Sequence, residues 1–84
     1  MPLDTKRLPA LPDAVAPDGS LVRVLLRLDG GSMAHFELPA GQISKAVMHR
    51  TVEEIWFFLG GRGEMWRARD GASETIVAVE RGVS

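Results

Sequence analysis

The sequence contains no cysteine, and this absence excludes disulfide bonds and thiolate metal sites. Any metal ligand therefore has to be a histidine, an aspartate, a glutamate or a backbone oxygen. An excess of charge of one sign is also missing, because 10 Lys+Arg against 11 Asp+Glu give a formal net charge of -1 at pH 7. Basic clusters carry the binding of proteins to nucleic acid and to anionic lipid, so the sequence predicts neither partner.

Long apolar runs are missing as well. No stretch approaches the roughly 18 apolar residues that suggest a membrane span, and residues 1–7 lack the apolar centre of a secretory signal. We therefore expect a cytoplasmic protein without a membrane partner. With 84 residues the chain has room for one modest core, and domains of this size often depend on a partner or a metal for stability.

Four of the five prolines fall in the first part of the chain. Proline removes a backbone donor and keeps the preceding residue extended, so residues 1–18 are predicted to form an extended N-terminal arm rather than a helix. Residues 19–84 then form a single domain. The apolar residues of the arm are expected to pack over this domain or against a second subunit; they are Leu3, Leu8, Leu11 and Val15.

From residue 20 onward, short β-rich runs alternate with glycine turns. In the first run, Arg23 and Arg27 are predicted to lie on one face, opposite an apolar face of Val22, Val24, Leu26 and Leu28. The predicted strands are 20–28, 33–38, 43–49, 53–59, 64–69 and 72–80. Glycine spacing and β-branched and aromatic content outweigh a competing helix over residues 45–58. Short strands at regular intervals indicate an all-β sandwich or barrel.

The segment from Gly41 to Gly61 carries the most specific pattern. It resembles the first conserved motif of the cupin superfamily, G-x5-H-x-H-x3-4-E-x6-G, with His49 as the second histidine and Glu54 as the glutamate. Val47 stands where the motif has its first histidine. The order of turns and strands around the motif also suits a cupin, so the resemblance extends over most of residues 21–84.

The resemblance implies a cupin-like (RmlC-like) jelly-roll barrel with His49 and Glu54 as remaining metal ligands. Such sites hold a divalent transition metal such as iron, manganese, nickel or zinc. Val47 removes one ligand, and a metal-free domain is the equal alternative. The second cupin motif, G-x5-P-x-G-x2-H-x3-N, would begin at Gly82, two residues before the end of the sequence. We therefore expect a barrel shortened at its C-terminus, which favours a truncated form of a longer cupin.

A second interpretation of Glu54 comes from the glycines at 60–63. A hairpin turn there would place Glu54, Trp56 and Phe58 on one face with Met65, Arg67 and Arg69. Glu54 would then pair with one of the two arginines, since a buried carboxylate needs a partner. The arginines could instead hold a small acidic ligand, because guanidinium matches carboxylate and phosphate. Further candidate ligand-binding residues are Trp56, Met65 and His35.

Three functions remain open at this point. The chain is a metal-poor small-molecule-binding or non-catalytic domain, or a truncated cupin without independent activity, or a metal-dependent isomerase, dioxygenase or lyase whose site is completed by His35 or a second subunit. Whether it is an enzyme stays undecided. A barrel that lacks strands exposes unpaired backbone groups and its apolar interior. We therefore expect a homodimer formed by β-strand exchange or sheet extension.

Overall fold

The computed structural model describes residues 4–48, 50–69 and 74–84. Within these ranges the chain forms five β-strands in two antiparallel sheets and no helix, which confirms the all-β prediction. A closed barrel is not among these elements. The described chain accordingly offers no helix of the length and apolarity that crossing a membrane requires. The chain divides into an N-terminal unit, Met1–Met48, and a C-terminal unit, His49–Ser84.

The N-terminal unit contains one sheet of three strands in the order β1-β2-β3. Strand β1 is Ala14–Val15, β2 is Leu21–Leu28 and β3 is Gly31–Glu37. Valine and leucine dominate β2 and favour an extended, pleated backbone. Residues 29 and 30, Asp-Gly, connect β2 to β3 as a two-residue turn, which is the strongest short hairpin signal. A glycine turn between the runs predicted at 20–28 and 33–38 is therefore confirmed.

A β-bulge interrupts β2 and changes which side chains share a face. Val24 pairs with Ala34, but the next pair along the ladder is Arg27 with Ser32, so β2 uses three steps where β3 uses two. Ala34 and Ser32 lie on the same face of β3, and Arg27 therefore lies on the face of Val24. Leu28 follows on the opposite face. The predicted separation of an apolar face from an arginine face is wrong beyond Val24, because the extra residue shifts the alternation by one.

The N-terminal arm is attached to this sheet by polar contacts. Strand β1 pairs with the start of β2, and the carbonyl oxygens of Pro9 and Ala10 accept hydrogen bonds from the Arg23 side chain. By contrast, Leu8 and Leu11 are 48% and 79% exposed. Among its described residues the arm is thus held by an arginine more than by its leucines.

The C-terminal unit contains a two-stranded sheet, with β4 at Arg62–Arg67 and β5 at Thr75–Glu80. The pairing runs without a shift from Arg62 opposite Glu80 to Arg67 opposite Thr75. Strand β4 lies two residues before the run predicted at 64–69. Strand β5 begins three residues after the start of the run predicted at 72–80 and ends at the same residue. Residues 43–48 and 53–59, predicted as strands, have no strand in the structure. Between the runs predicted at 64–69 and 72–80 the sequence has Asp70-Gly71, a pair typical of a tight turn, and these two residues lie outside the described ones.

Residues 60–63 do not reverse the chain, which corrects the predicted hairpin. The N–H of Phe58 donates to the carbonyl of Val83 at 2.9 Å, and the N–H of Gly82 donates to the carbonyl of Phe58 at 2.8 Å. Phe58 therefore lies beside the chain that follows β5, just as Arg62 lies beside β5 itself. Gly61, with a φ of 76°, adopts the left-handed conformation that bulges use and allows the strand direction to continue.

Candidate functional site

The predicted metal ligands are only partly described. His49 lies outside the described residues. The Glu54 carboxylate is exposed and accepts a hydrogen bond from the Trp56 indole nitrogen at 3.0 Å. Val47, at the position of the missing histidine, is 56% exposed. Residues 4–48, 50–69 and 74–84 contain no group of three side chains of the kinds that hold a metal ion.

Trp56 lies in a small ordered cluster within the C-terminal unit. Its ring stacks on that of Phe58, with centroids 6.3 Å apart and planes inclined by 24°. The hydroxyl of Ser84 donates to the Trp56 carbonyl at 2.7 Å. Because side chains two positions apart in an extended chain share a face, the Glu54 carboxylate lies on the same side. The structure thus brings Glu54 and Trp56 together, as the sequence predicted.

Met65 and Arg67 also share a face, that of alternate residues in β4. Met65 is half-buried, and the exposed Arg67 donates from Nε to the hydroxyl of Thr75 at 3.2 Å. Arg69 is exposed and lies beyond the end of β4. The hairpin that placed Glu54 opposite these arginines is absent, so the geometric basis of a Glu54–arginine pair is wrong.

His35 belongs to the N-terminal unit, in β3, where it pairs with Arg23 of β2. Its Nδ1 atom is buried and finds no hydrogen-bond partner among the described residues. The His35 ring is half-buried and lies on the face of the sheet that also carries the Arg23 and Glu37 side chains. That face of the sheet is polar at its centre.

Arg23 connects the N-terminal arm to the sheet, a role that the sequence did not indicate. It is only 8% exposed, and its guanidinium donates to the carbonyls of Pro9 at 2.8 Å and Ala10 at 2.9 Å. A third nitrogen contacts the Glu37 carboxylate at 2.9 Å. The arginine therefore joins the arm, β2 and β3 at one point. Alternation had placed it with Arg27 on the face opposite the apolar side chains, and the acid in β3, Glu37, was the available signal for its burial.

Asp18 stabilises the turn that leads into β2. Its carboxylate accepts hydrogen bonds from the N–H of Ser20 at 2.9 Å and from the Ser20 hydroxyl at 2.6 Å, and Ser20 is 4% exposed. Hydrogen bonds to the ionised form lower the pKa of Asp18 from its ordinary value of 3.8. The carboxylate thus stays ionised in the folded chain at pH values where it is protonated in the unfolded one.

This shift makes part of the stability pH-dependent. Because the pKa of Asp18 is lower in the folded state, its contribution is present above pH 3.8 and is lost as the pH falls through the folded pKa. We expect Asp18→Asn, which keeps an acceptor but no charge, to be less stable than wild type at neutral pH and equally stable in strong acid. Urea midpoints measured across this range check it, and a constant difference would contradict it.

Comparisons with known proteins return no match: no family model, no curated protein and no solved structure matches this chain.

Proposed function

We propose that this chain is a cupin-like β domain that binds rather than catalyses, and that it works as an assembly with a second copy of itself. The supporting observation is the amount of apolar side chain left in contact with water. Over the described residues no apolar side chain is buried, and the two buried residues are Ser20 and Arg23. Burial of apolar surface is the dominant favourable contribution to folding, so such a chain has to gain it elsewhere.

The exposed apolar side chains give the size of this deficit. Full burial of one valine, leucine, isoleucine or phenylalanine side chain contributes about 1.5–3 kcal/mol. Obligate homodimers bury about 2,000–5,000 Å² in total, which is enough to cover several such side chains of each copy. Association with a second copy can therefore compensate for the missing core.

Both units contribute to the exposed apolar surface. The most exposed of these side chains are Ile43 at 92% and Ile55 at 95%. Aromatic rings are included, with Phe57 at 61% and Trp66 at 46%. Patches of this kind on soluble proteins mark interaction sites. In the proposal, the jelly-roll barrel implied by the cupin resemblance belongs to the assembled form.

The bound molecule that we propose is small and acidic, and Arg67 is its principal contact. Thr75 holds the Nε side of the exposed guanidinium at 3.2 Å, which fixes the direction of the other nitrogens. A guanidinium oriented in this way can receive a carboxylate or a phosphate through two parallel hydrogen bonds. Met65, on the same face, offers apolar contact to the remainder of the ligand. Val47 at the first ligand position supports binding rather than metal-dependent catalysis.

Light scattering of the purified full chain tests the proposal. We expect a mass twice the 9.1 kDa of one chain at micromolar concentration, with reversible dissociation on dilution. The same sample is analysed for iron, manganese, nickel and zinc, and we expect less than one metal per chain.

Two outcomes would count against this function. A monomer whose hydrodynamic radius is that of a compact chain would contradict the assembly. Stoichiometric metal that is lost in His49→Ala would contradict the non-catalytic role and favour the metalloenzyme alternative.

Binding of an acidic ligand such as citrate is measured separately. Arg67→Lys is the matched control for this measurement, because lysine keeps the charge but not the planar fork.

A further inference from the structure

The two edges of the N-terminal sheet differ in how they are protected. On the β1 side, strand β2 extends beyond the short β1, and side chains cover the exposed backbone. Val24 donates its N–H to the Asp13 carboxylate at 2.7 Å, and its carbonyl accepts a hydrogen bond from the Lys6 ammonium at 2.6 Å. Polar side chains that occupy edge groups prevent other strands from pairing there.

At the other edge, no side chain of the described residues bonds to the backbone of Ala34, the central residue of strand β3. In the sheet it pairs with β2, and no further strand of the described chain joins its outer side. The strand Gly31–Glu37 contains no lysine, arginine or proline, and all of its residues except His35 are exposed. Natural edge strands commonly carry such residues to block association. The absence of these residues indicates that the outer edge of β3 is available to pair with another strand.

The hydrogen bonds of Val24 also show which backbone groups of β3 point outward. Both groups of Val24 point away from β3, towards Asp13 and Lys6. Val24 and Ala34 are therefore a pair that exchanges no backbone hydrogen bonds, and Ala34 directs its N–H and carbonyl away from β2. Ala34 is the central residue of β3, so the middle of the open edge presents one donor and one acceptor.

We propose that β3 pairs antiparallel with β3 of a second copy, about a two-fold axis at Ala34. This inference rests on the proposed function, because it names the edge through which the assembly forms. The two Ala34 residues would exchange both of their backbone hydrogen bonds, and the two three-stranded sheets would become one continuous sheet. Identical chains that meet through the same surface have this symmetry.

Charge and side-chain pairing in this register are self-complementary. Met33 lies opposite the partner's His35, and Gly31 lies opposite the partner's Glu37. The two Glu37 carboxylates are therefore at opposite ends of the paired strands, and each retains its Arg23 at 2.9 Å. No like charges face each other, which is the condition that antiparallel strand pairs require.

A charge-swap experiment tests the register directly. A dimer of two Ala34→Lys chains has two ammonium groups opposite each other on the two-fold axis. A dimer of two Ala34→Glu chains has two carboxylates there. We expect each variant alone to raise the dimer dissociation constant about fivefold. An equal mixture of the two should restore or exceed wild-type association, measured by light scattering or by native mass spectrometry.

A backbone variant tests the same edge without introducing charge. Ala34→Pro removes the outward N–H and leaves the bonds to β2 intact, so we expect the dissociation constant to rise roughly tenfold to a hundredfold. Ala34→Val keeps the N–H and is the matched control, with association like that of wild type. Far-UV circular dichroism of each variant reports whether the sheet has formed.

The outcomes separate this inference from the function on which it rests. A dimer that persists in Ala34→Pro with an unchanged dissociation constant overturns pairing through β3 and leaves assembly intact. Loss of association in both charged variants without recovery in the mixture overturns the register at Ala34. A wild-type chain that is monomeric overturns assembly itself.

Discussion

Replacing Arg23 with alanine is expected to lower the free energy of unfolding by about 3 kcal/mol. The side chain is nearly fully buried and donates to the carbonyls of Pro9 and Ala10. Without it, these two acceptors lose their charged donor in a site where water has little access. The pair with Glu37 contributes less, because that carboxylate side chain is 48% exposed and stays solvated when the arginine is removed.

Arg23→Lys is the matched control. Lysine keeps the charge but cannot donate in three directions from one planar group, so we expect a loss about half as large. Far-UV circular dichroism during urea unfolding is the suitable measurement, because both tryptophans, Trp56 and Trp66, belong to the C-terminal unit. An Arg23→Ala midpoint equal to that of wild type would refute the role of the arginine as an anchor.

Gly82→Val is expected to destabilise the C-terminal unit by about 2–3 kcal/mol. Gly82 has a φ of 93°, a conformation in which a β-branched side chain is strained. Its N–H also donates to the carbonyl of Phe58 at 2.8 Å, and relieving the strain would break this bond. Tryptophan fluorescence during urea unfolding measures the effect directly in this unit.

Gly60→Ala provides the comparison for this substitution. Gly60 is not among the glycines with positive φ, and a side-chain carbon there would meet no atom within 4 Å. We expect its unfolding midpoint to equal or slightly exceed that of wild type, because alanine restricts the unfolded chain. Equal losses in Gly60→Ala and Gly82→Val would show that backbone conformation is not the cause.

Local sequence signals predicted the strands that depend on local contacts. The hairpin of β2 and β3 follows from an alternating run, an Asp-Gly turn and a second extended run, all within residues 21–37. The bulge was less accessible to prediction. Val24, Leu25 and Leu26 are consecutive apolar residues without a polar neighbour to show that the alternation shifts. A regular period of two was therefore continued through the bulge.

The glycines at 60–63 show why the C-terminal unit was harder to predict. Glycine with positive φ is used both by tight turns, which reverse the chain, and by bulges, which do not. Which of the two forms is decided by distant partners, here the residues after β5 that bond to Phe58. The proposed face of Glu54 with Arg67 and Arg69 depended on a reversal and was lost with it.

The sequence predicted some contacts between neighbouring residues of the candidate site. It did not predict contacts between residues that are distant in the chain. The hydrogen bond between Glu54 and Trp56 follows from their spacing of two in an extended chain. The burial of Arg23 depends on carbonyl groups 13 and 14 residues earlier in the chain. Backbone carbonyls carry no sequence identity, so no pattern of side chains could have revealed these acceptors.

The hydrogen bonds from Arg23 to Pro9 and Ala10 also bear on the order in which the parts of the sheet form during synthesis. Ribosomes release a chain from its N-terminus, so Pro9 and Ala10 emerge before the arginine that binds them. The arm has no docking site until Arg23 is available, and Glu37, which helps to orient that arginine, appears later still. The hairpin of β2 and β3 closes over a loop of two residues and can form first. We therefore expect the arm to be the last part of this sheet to become ordered, and the nascent chain to expose it to proteases and chaperones until then.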